Sequence, residues 1–243
     1  LFIKDKRINY RIRDIFIKTK SLFAEYVKIS IPVLISDAIL AFGNNAIAMV
    51  IGHLGAAFVA ANAITNVTQQ LSTVFVQGVS QAGAIVTGQT LGTGDKQKTM
   101  NQGWMFFGIG LALGTLSAIF ILFITNPIIG SYNVSAETVQ IAKELMIGLS
   151  VIMVFRATNS IMTKGVLRGG GDTKMLMLAD NVFSWALAIP LGILAGFVFK
   201  WSAFWIYVCL KSDEIAKTFW CLYRLKSEKW IKKISTGSGV SAK

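Results

Sequence analysis

Two long stretches of the chain carry no charged side chain, and their lengths predict membrane-spanning helices. Residues 38–94 and residues 99–136 contain no Asp, Glu, Lys or Arg. A bilayer core about 30 Å thick needs about 20 apolar residues for each helical crossing. The first stretch is therefore long enough for two crossings and the second for one, which indicates a membrane protein with several spans.

Polar and glycine-rich breaks divide the apolar pattern into six predicted spans of an all-α polytopic fold. Pro32 lies in the first turn of the first span, where its missing N–H costs little. The spans are expected at about residues 31–52, 60–91, 101–124, 139–165, 175–198 and 202–225, with the third ended by Thr125-Asn126-Pro127. A cytoplasmic amphipathic linker, residues 1–28, is expected before this six-helix lobe, residues 29–226. A basic cytoplasmic tail, residues 227–243, is expected after it.

The basic residues predict how the chain is oriented in the membrane. If the first residues are cytoplasmic, 21 of the 24 Lys and Arg lie in segments on that side, and the first two outer loops, residues 53–59 and 125–138, contain none. An excess of Lys and Arg is typical of cytoplasmic loops. The sixth predicted span contains a charged cluster, Lys211, Asp213, Glu214 and Lys217. The same count still favours a sixth span, because five spans would place the basic tail outside. That cluster is expected to face a cavity.

Composition and charge narrow the classes of function. Hydrophobic residues make up 53% of the chain and charged residues 15%, with a mean hydropathy of +0.59, whereas soluble chains are about a quarter charged. The net charge of +12 does not indicate nucleic-acid binding, because the basic residues gather at the membrane flanks. With one His and two Cys, no metal cluster or nucleophile–base pair is evident, so neither an enzyme nor a cofactor is expected. A passive channel stays open, although rings of identical charges would then be expected.

Polar side chains recur at steps of three and four along the second predicted span, on one helix face. Hydrogen bonds between packed helices would explain them, but six polar positions exceed what packing usually requires, so a water-filled face that lines a substrate path is favoured. Gly110 and Gly114 are more simply explained as a seam of close helix packing. The six polar positions are Asn62, Asn66, Gln69, Thr73, Gln77 and Ser80.

Ionisable residues inside the spans indicate a polar pathway, because lipid cannot solvate them. For any single one, a purely structural ion pair is the alternative. At 1.5 Å per residue, Asp37 and Arg156 lie roughly 10 and 13 Å from the inner ends of their spans, so we expect these two side chains to pair. The candidates are Asp37 in span one, Arg156 and Asn159 in span four, Asp180 in span five, and Asp213 and Glu214 in span six.

The end of the fourth span resembles a family signature. Residues 165–173, GVLRGGGDT, resemble the GvLRgaGDt motif of multidrug and toxic compound extrusion (MATE) transporters, and residues 81–95, 188–192 and 210–215 add support. The resemblance runs from about Ser21 to Ile234. It implies the second, C-terminal six-helix lobe of a twelve-helix transporter, whose N-terminal lobe would be this chain's partner. Within the motif, Gly169, Gly170 and Gly171 are predicted to reverse the backbone through φ values open mainly to glycine.

The resemblance also implies a function. It implies a secondary-active antiporter in a bacterial plasma membrane, in contact with membrane lipids. The antiporter would export amphipathic or cationic compounds by alternating access between its two lobes. Na⁺ or H⁺ influx would drive the export. Asp37 matches an acidic family position tied to cation coupling, a possible sodium site, and Asp180 is a further coupling candidate. A second family carboxylate has no counterpart, because Arg156 stands in that helix. The alternative is a lipid-linked saccharide flippase of the same superfamily, which would want a more basic cavity.

Overall fold

The computed structural model describes residues 20–231, and all the regular structure in that range is helical. Residues 1–19 of the predicted linker and residues 232–243 of the predicted tail lie outside the described residues. Segments of π-helix continue three of the helices: Ile161–Leu167 after α4, Ser184–Ala188 after α5 and Leu194–Val198 after α6. The helices are α1 (Lys20–His53), α2 (Ala56–Gly92), α3 (Lys96–Gly130), α4 (Ala136–Ser160), α5 (Thr173–Phe183), α6 (Ile189–Ile193), α7 (Ala203–Leu210) and α8 (Ser212–Lys226).

The contacts divide the chain into two compact units, Leu1–Ala38 and Ile39–Lys243, and the boundary falls inside α1. The second unit holds the rest of α1 and all later helices. Its centre is α4, which packs against α2, α3, α7 and α8. Much of α4 is fully buried, including Leu145, Met146, Leu149 and Met153, whereas Ile147 and Val151 on another face are exposed.

Three predicted boundaries differ from the ends of the helices. The first helix begins at Lys20 and not near residue 31, so Pro32 lies inside α1 and not in its first turn. The third helix does not end at Thr125-Asn126-Pro127 but continues to Gly130. Pro127 removes one backbone hydrogen bond, and the single turn that follows is capped by Ser131, whose Oγ donates to the Pro127 carbonyl at 2.9 Å. The sixth span is two helices and not one, because α7 ends at Leu210 and α8 begins at Ser212.

Four helical segments in the described part of the chain are long and apolar enough to cross a membrane. They are Leu34–His53, Lys96–Gly130, Ala136–Leu167 and Met175–Val198. The polar face of α2 sets it apart from these four, and α7 and α8 are individually short, with 8 and 15 residues. The six-span topology with both ends cytoplasmic therefore stays a prediction.

Close backbone contact holds α3 against α4. A Cβ atom at Gly110 would lie 2.9 Å from the Thr158 Cα, and one at Gly114 would lie 2.8 Å from the Val154 Cα. Real Cβ atoms essentially never come so close, so only glycine permits this spacing. The packing seam predicted for the two glycines is confirmed. It determines which face of α4 points away from α3.

Candidate functional site

A polar cavity of about 310 Å³ lies in the second unit, where α1, α2, α4, α5 and α8 come together. Among helices as apolar as these, such a concentration of ionisable groups makes the cavity the candidate functional site. The uncharged polar residues that line it include Asn44, Thr73, Gln77, Asn159 and Thr163. The charged ones are Arg156, Lys164, Asp180, Lys211, Asp213, Glu214 and Lys217.

Glu214 joins α8 to α4 through both of its carboxylate oxygens. Arg156 Nη1 donates to Glu214 Oε1 at 3.2 Å, and Asn159 Nδ2 donates to Glu214 Oε2 at 2.5 Å. Arg156 and Asn159 are three residues apart, which places them on the same face of α4. The Glu214 side chain is 13% exposed and that of Arg156 is 29% exposed, so the pair lies at the cavity wall and not in open solvent.

Lys217 forms a second charged group with two carboxylates. Its Nζ lies 2.9 Å from Asp213 Oδ2 on its own helix and 3.2 Å from Asp180 Oδ1 on α5. The Lys217 side chain is 8% exposed, whereas that of Asp180 is 36% exposed. One ammonium group thus serves two carboxylates, which leaves one negative charge in excess and ties α8 to α5.

The change from α-helix to π-helix after Ser160 is supported by hydroxyl groups of neighbouring helices. Ser80 Oγ on α2 donates to the Ser160 carbonyl at 2.8 Å, and Thr218 Oγ1 on α8 donates to the Phe155 carbonyl at 3.1 Å. A π-helical turn rearranges backbone hydrogen bonds, and such side chains supply partners for the carbonyls. They hold the part of α4 that carries Arg156 and Asn159.

The polar face of α2 partly lines the cavity and partly packs against neighbouring helices. Thr73 and Gln77 line the cavity, while Ser80 is buried against α4. Gln69 accepts a hydrogen bond from the Tyr207 hydroxyl at 3.5 Å, which is interhelical packing. Asn62 and Asn66 are half-buried nearer the start of α2. They are not among the described residues that line the cavity.

The structure leaves the predicted pairing of Asp37 and Arg156 as a prediction. Asp37 belongs to the first unit and Arg156 to the second. Within the second unit the partner of Arg156 is Glu214. The cation site proposed at Asp37 likewise stays a prediction.

The three glycines after α4 do not share one role, which corrects the prediction for two of them. Gly171 has φ +88°, a conformation that L side chains rarely adopt. Gly169 and Gly170 are needed for space: a Cβ at Gly169 would lie 2.7 Å from the Ala84 carbonyl oxygen, and one at Gly170 would overlap the Trp230 ring.

Several charged partners were not predicted from the sequence. Lys217 is one, although its spacing of four residues from Asp213 on a helix was a usable signal. Asp172 Oδ2 and Arg224 Nε form a buried pair, 2.6 Å apart. No sequence signal indicated this pair, because 52 residues separate its two members. Lys164, which lines the cavity, is likewise not among the residues that the sequence singled out.

Comparisons with known proteins agree with this architecture. The family model described as MatE matches residues 32–194. A probable multidrug resistance protein NorM from Xylella fastidiosa is 28% identical over 183 residues, which cover 74% of this chain and 39% of that protein. A multidrug resistance protein MdtK from Yersinia pseudotuberculosis is 27% identical over 150 residues, 62% of this chain and 33% of that protein. The chain therefore spans less than half the length of these curated relatives.

Solved structures share the fold. A multidrug resistance MATE family transporter of the MOP superfamily, in an outward-facing conformation, superposes with a TM-score of 0.75 at 21% identity, covering 86% of this chain and 46% of that one. A MOP superfamily transporter from Pyrococcus furiosus, described by a reverse polarity of its binding pocket that suggests a different function, gives 0.75 at 20% identity, covering 88% and 48%. At these identities the likeness shows the fold alone.

Proposed function

We propose, because the chain belongs to the MatE family, that it forms one lobe of a secondary-active exporter of amphipathic small molecules in a bacterial membrane. The observation that carries the proposal is the cavity of the second unit, where seven ionisable side chains meet between long apolar helices. Relatives named as multidrug resistance proteins support the substrate class. The other lobe would complete the pathway, so that the two lobes give alternating access to the two sides of the membrane.

The carboxylates of the cavity provide a physical basis for coupling to Na⁺ or H⁺ influx. Asp180 is the most accessible carboxylate of the two ion-paired groups, and a cation that reaches it would compete with Lys217 for the same oxygens. That competition would weaken the tie between α5 and α8. Asp37 is proposed as a second coupling position from its match to the family pattern.

The cavity also bears on which compounds are exported. Cationic compounds would be attracted to Asp180 and Asp213, which share one lysine. The amide of Gln77 and the hydroxyl of Thr73 add neutral hydrogen-bonding groups. We therefore propose amphipathic compounds with a cationic group as the substrates, with transport in place of chemical conversion.

A lipid-linked saccharide flippase is the second candidate, and one observation favours it. The cavity holds Lys164, Lys211 and Lys217 in addition to Arg156, so it is more basic than the sequence suggested. However, Arg156 and Lys217 are already paired with carboxylates, which reduces the positive charge available to a pyrophosphate. The exporter is therefore the better-supported function.

Uptake of a cationic dye into inverted membrane vesicles that hold the complete protein tests the proposal. The dye should accumulate when a Na⁺ or a H⁺ gradient is imposed separately, and vesicles that carry the Asp180→Asn variant at equal protein content should accumulate less. Absence of dye accumulation under both gradients would contradict an exporter. Gradient-independent movement of a lipid-linked saccharide analogue would then point to the flippase.

A further inference from the structure

Two of the four basic side chains at the cavity stand outside its ion pairs. Arg156 is paired with Glu214, and Lys217 is shared between Asp213 and Asp180. Lys164 and Lys211 have no carboxylate within 4 Å among the described residues of the second unit. The four basic side chains outnumber the three carboxylates at the cavity, so one positive charge is in surplus there.

Lys211 is the better placed of the two free lysines. It lies at the break between α7 and α8, where its N–H donates to the Tyr207 and Val208 carbonyls at 3.1 and 3.3 Å. Its own carbonyl accepts from the Glu214 N–H at 3.1 Å. The residue is thus fixed by the backbone between two helices, and it is half-buried whereas Lys164 is exposed.

An ammonium group that is partly withdrawn from water and lacks a carboxylate is unfavourable unless something else supplies the negative charge. In a polar cavity, water molecules solvate part of the ammonium charge. A ligand carboxylate would compensate for more of it, because hydrogen bonds between charged groups are roughly twice as strong as neutral ones. The position of Lys211 at the cavity wall makes a ligand the accessible source.

We infer that Lys211 binds a carboxylate of the exported compound, while Asp180 and Asp213 bind a cationic group of the same compound. The inference rests on the proposed export function and deepens it, since it names zwitterionic amphipathic compounds and not simple cations as the preferred substrates. The side chain of Asp180 is 36% exposed, so this carboxylate is accessible to a ligand although Lys217 contacts it.

The competing explanation is a static role for Lys211. Arg156, Asp213, Glu214 and Lys217 act on it electrostatically at longer range, so Lys211 also offsets the neighbouring carboxylates. A purely static lysine would influence folded yield and the binding of every ligand to the same degree. Only a direct ligand contact would distinguish a ligand that carries a carboxylate from the same ligand without it.

Tetramethylrhodamine and its methyl ester make that distinction, because the ester keeps the dye cation and removes only the carboxylate. Their dissociation constants would be measured by fluorescence polarisation on the purified complete protein. The acid should bind more tightly than the ester. Lys211→Met should weaken binding of the acid by about tenfold, the size of one charged hydrogen bond, and leave the ester unchanged. Lys211→Arg should retain the preference, and Lys143→Met, which removes an exposed lysine of α4 that does not line the cavity, is the matched control.

Each result decides the matter. Equal binding of acid and ester to the unchanged protein, or equal weakening of both by Lys211→Met, would overturn the carboxylate site while leaving the export function in place. If neither dye binds and neither is exported, the proposed function fails. Should Lys211→Met not fold, the acid–ester comparison on the unchanged protein and on Lys211→Arg is decisive, because loss of the preference in both would refute the inference.

Discussion

At the scale of single residues, the cavity is organised by which carboxylate each basic group contacts. Glu214 uses one oxygen for Arg156 and the other for Asn159, so α8 is held to α4 by a charge and by a neutral amide together. Truncating one member of such a pair leaves the other charge without compensation, which is more harmful than removing both. That asymmetry makes the pair testable.

Glu214→Gln is expected to destabilise the protein by less than the ~3–5 kcal/mol lost when one partner of a fully buried pair is removed, because Arg156 is 29% exposed. Adding Arg156→Gln should recover part of the stability, since no charge is then left unpaired. The thermal unfolding midpoint of the purified protein measures both effects. The control is Glu137→Gln, an exposed position in the first turn of α4.

Additive effects of Glu214→Gln and Arg156→Gln on stability would show that the two side chains do not stabilise each other. The same cycle made with Asp37→Asn in place of Glu214→Gln tests the other predicted partner of Arg156. Coupling in both cycles would mean that Arg156 exchanges between two carboxylates. Coupling only with Glu214 would leave Asp37 with a role of its own in cation coupling.

At the scale of helices, glycine positions set the distances between backbones. The α3–α4 seam depends on Gly110 and Gly114, and α2 approaches the π-helical end of α4 where a Cβ at Gly165 would lie 2.8 Å from the Ser80 carbonyl oxygen. Because lipid is as apolar as leucine, packing of this kind is a main source of helix association in membranes. The cavity wall formed by α4 therefore depends on contacts on its opposite faces.

Gly114→Ala should lower stability by ~1–3 kcal/mol, the usual cost of overpacking, because its new methyl group would meet backbone atoms of Val154. Gly78→Ala in α2 is the matched control, since nothing lies within 4 Å of a Cβ there. Folded yield and the unfolding midpoint measure the difference. Equal behaviour of the two variants would show that the seam is looser than described.

The sequence predicted the elements better than the site, for a physical reason. Charge-free stretches and helical periodicity are local signals, so the helices and the two seam glycines could be located. The partners of Arg156 and Asp172 lie 58 and 52 residues away, and no local pattern encodes such contacts. The break at Lys211 was also missed, because residues 202–225 contain no Gly or Pro that would mark the end of a helix.

At the scale of the whole molecule, the chain is a MatE-family unit that spans less than half of its curated relatives. Its cavity is formed within the second unit, with α8 as the element that contacts both α4 and α5 through charged side chains. The central claim is that this cavity takes up the exported compound. A cavity that only stabilises the lobe would hold the same ion pairs without admitting a ligand.

Protection of a cysteine at position 77 from a polar thiol reagent tests that claim most directly. Gln77 lines the cavity, whereas Gln70 is an exposed residue of α2 that does not, and Cys209 and Cys221 would be replaced by Ala to remove the native thiols. In the complete protein, saturating tetramethylrhodamine methyl ester should slow labelling of Gln77→Cys severalfold and leave Gln70→Cys unchanged. Equal labelling rates of Gln77→Cys with and without dye, in protein that still transports it, would contradict the account.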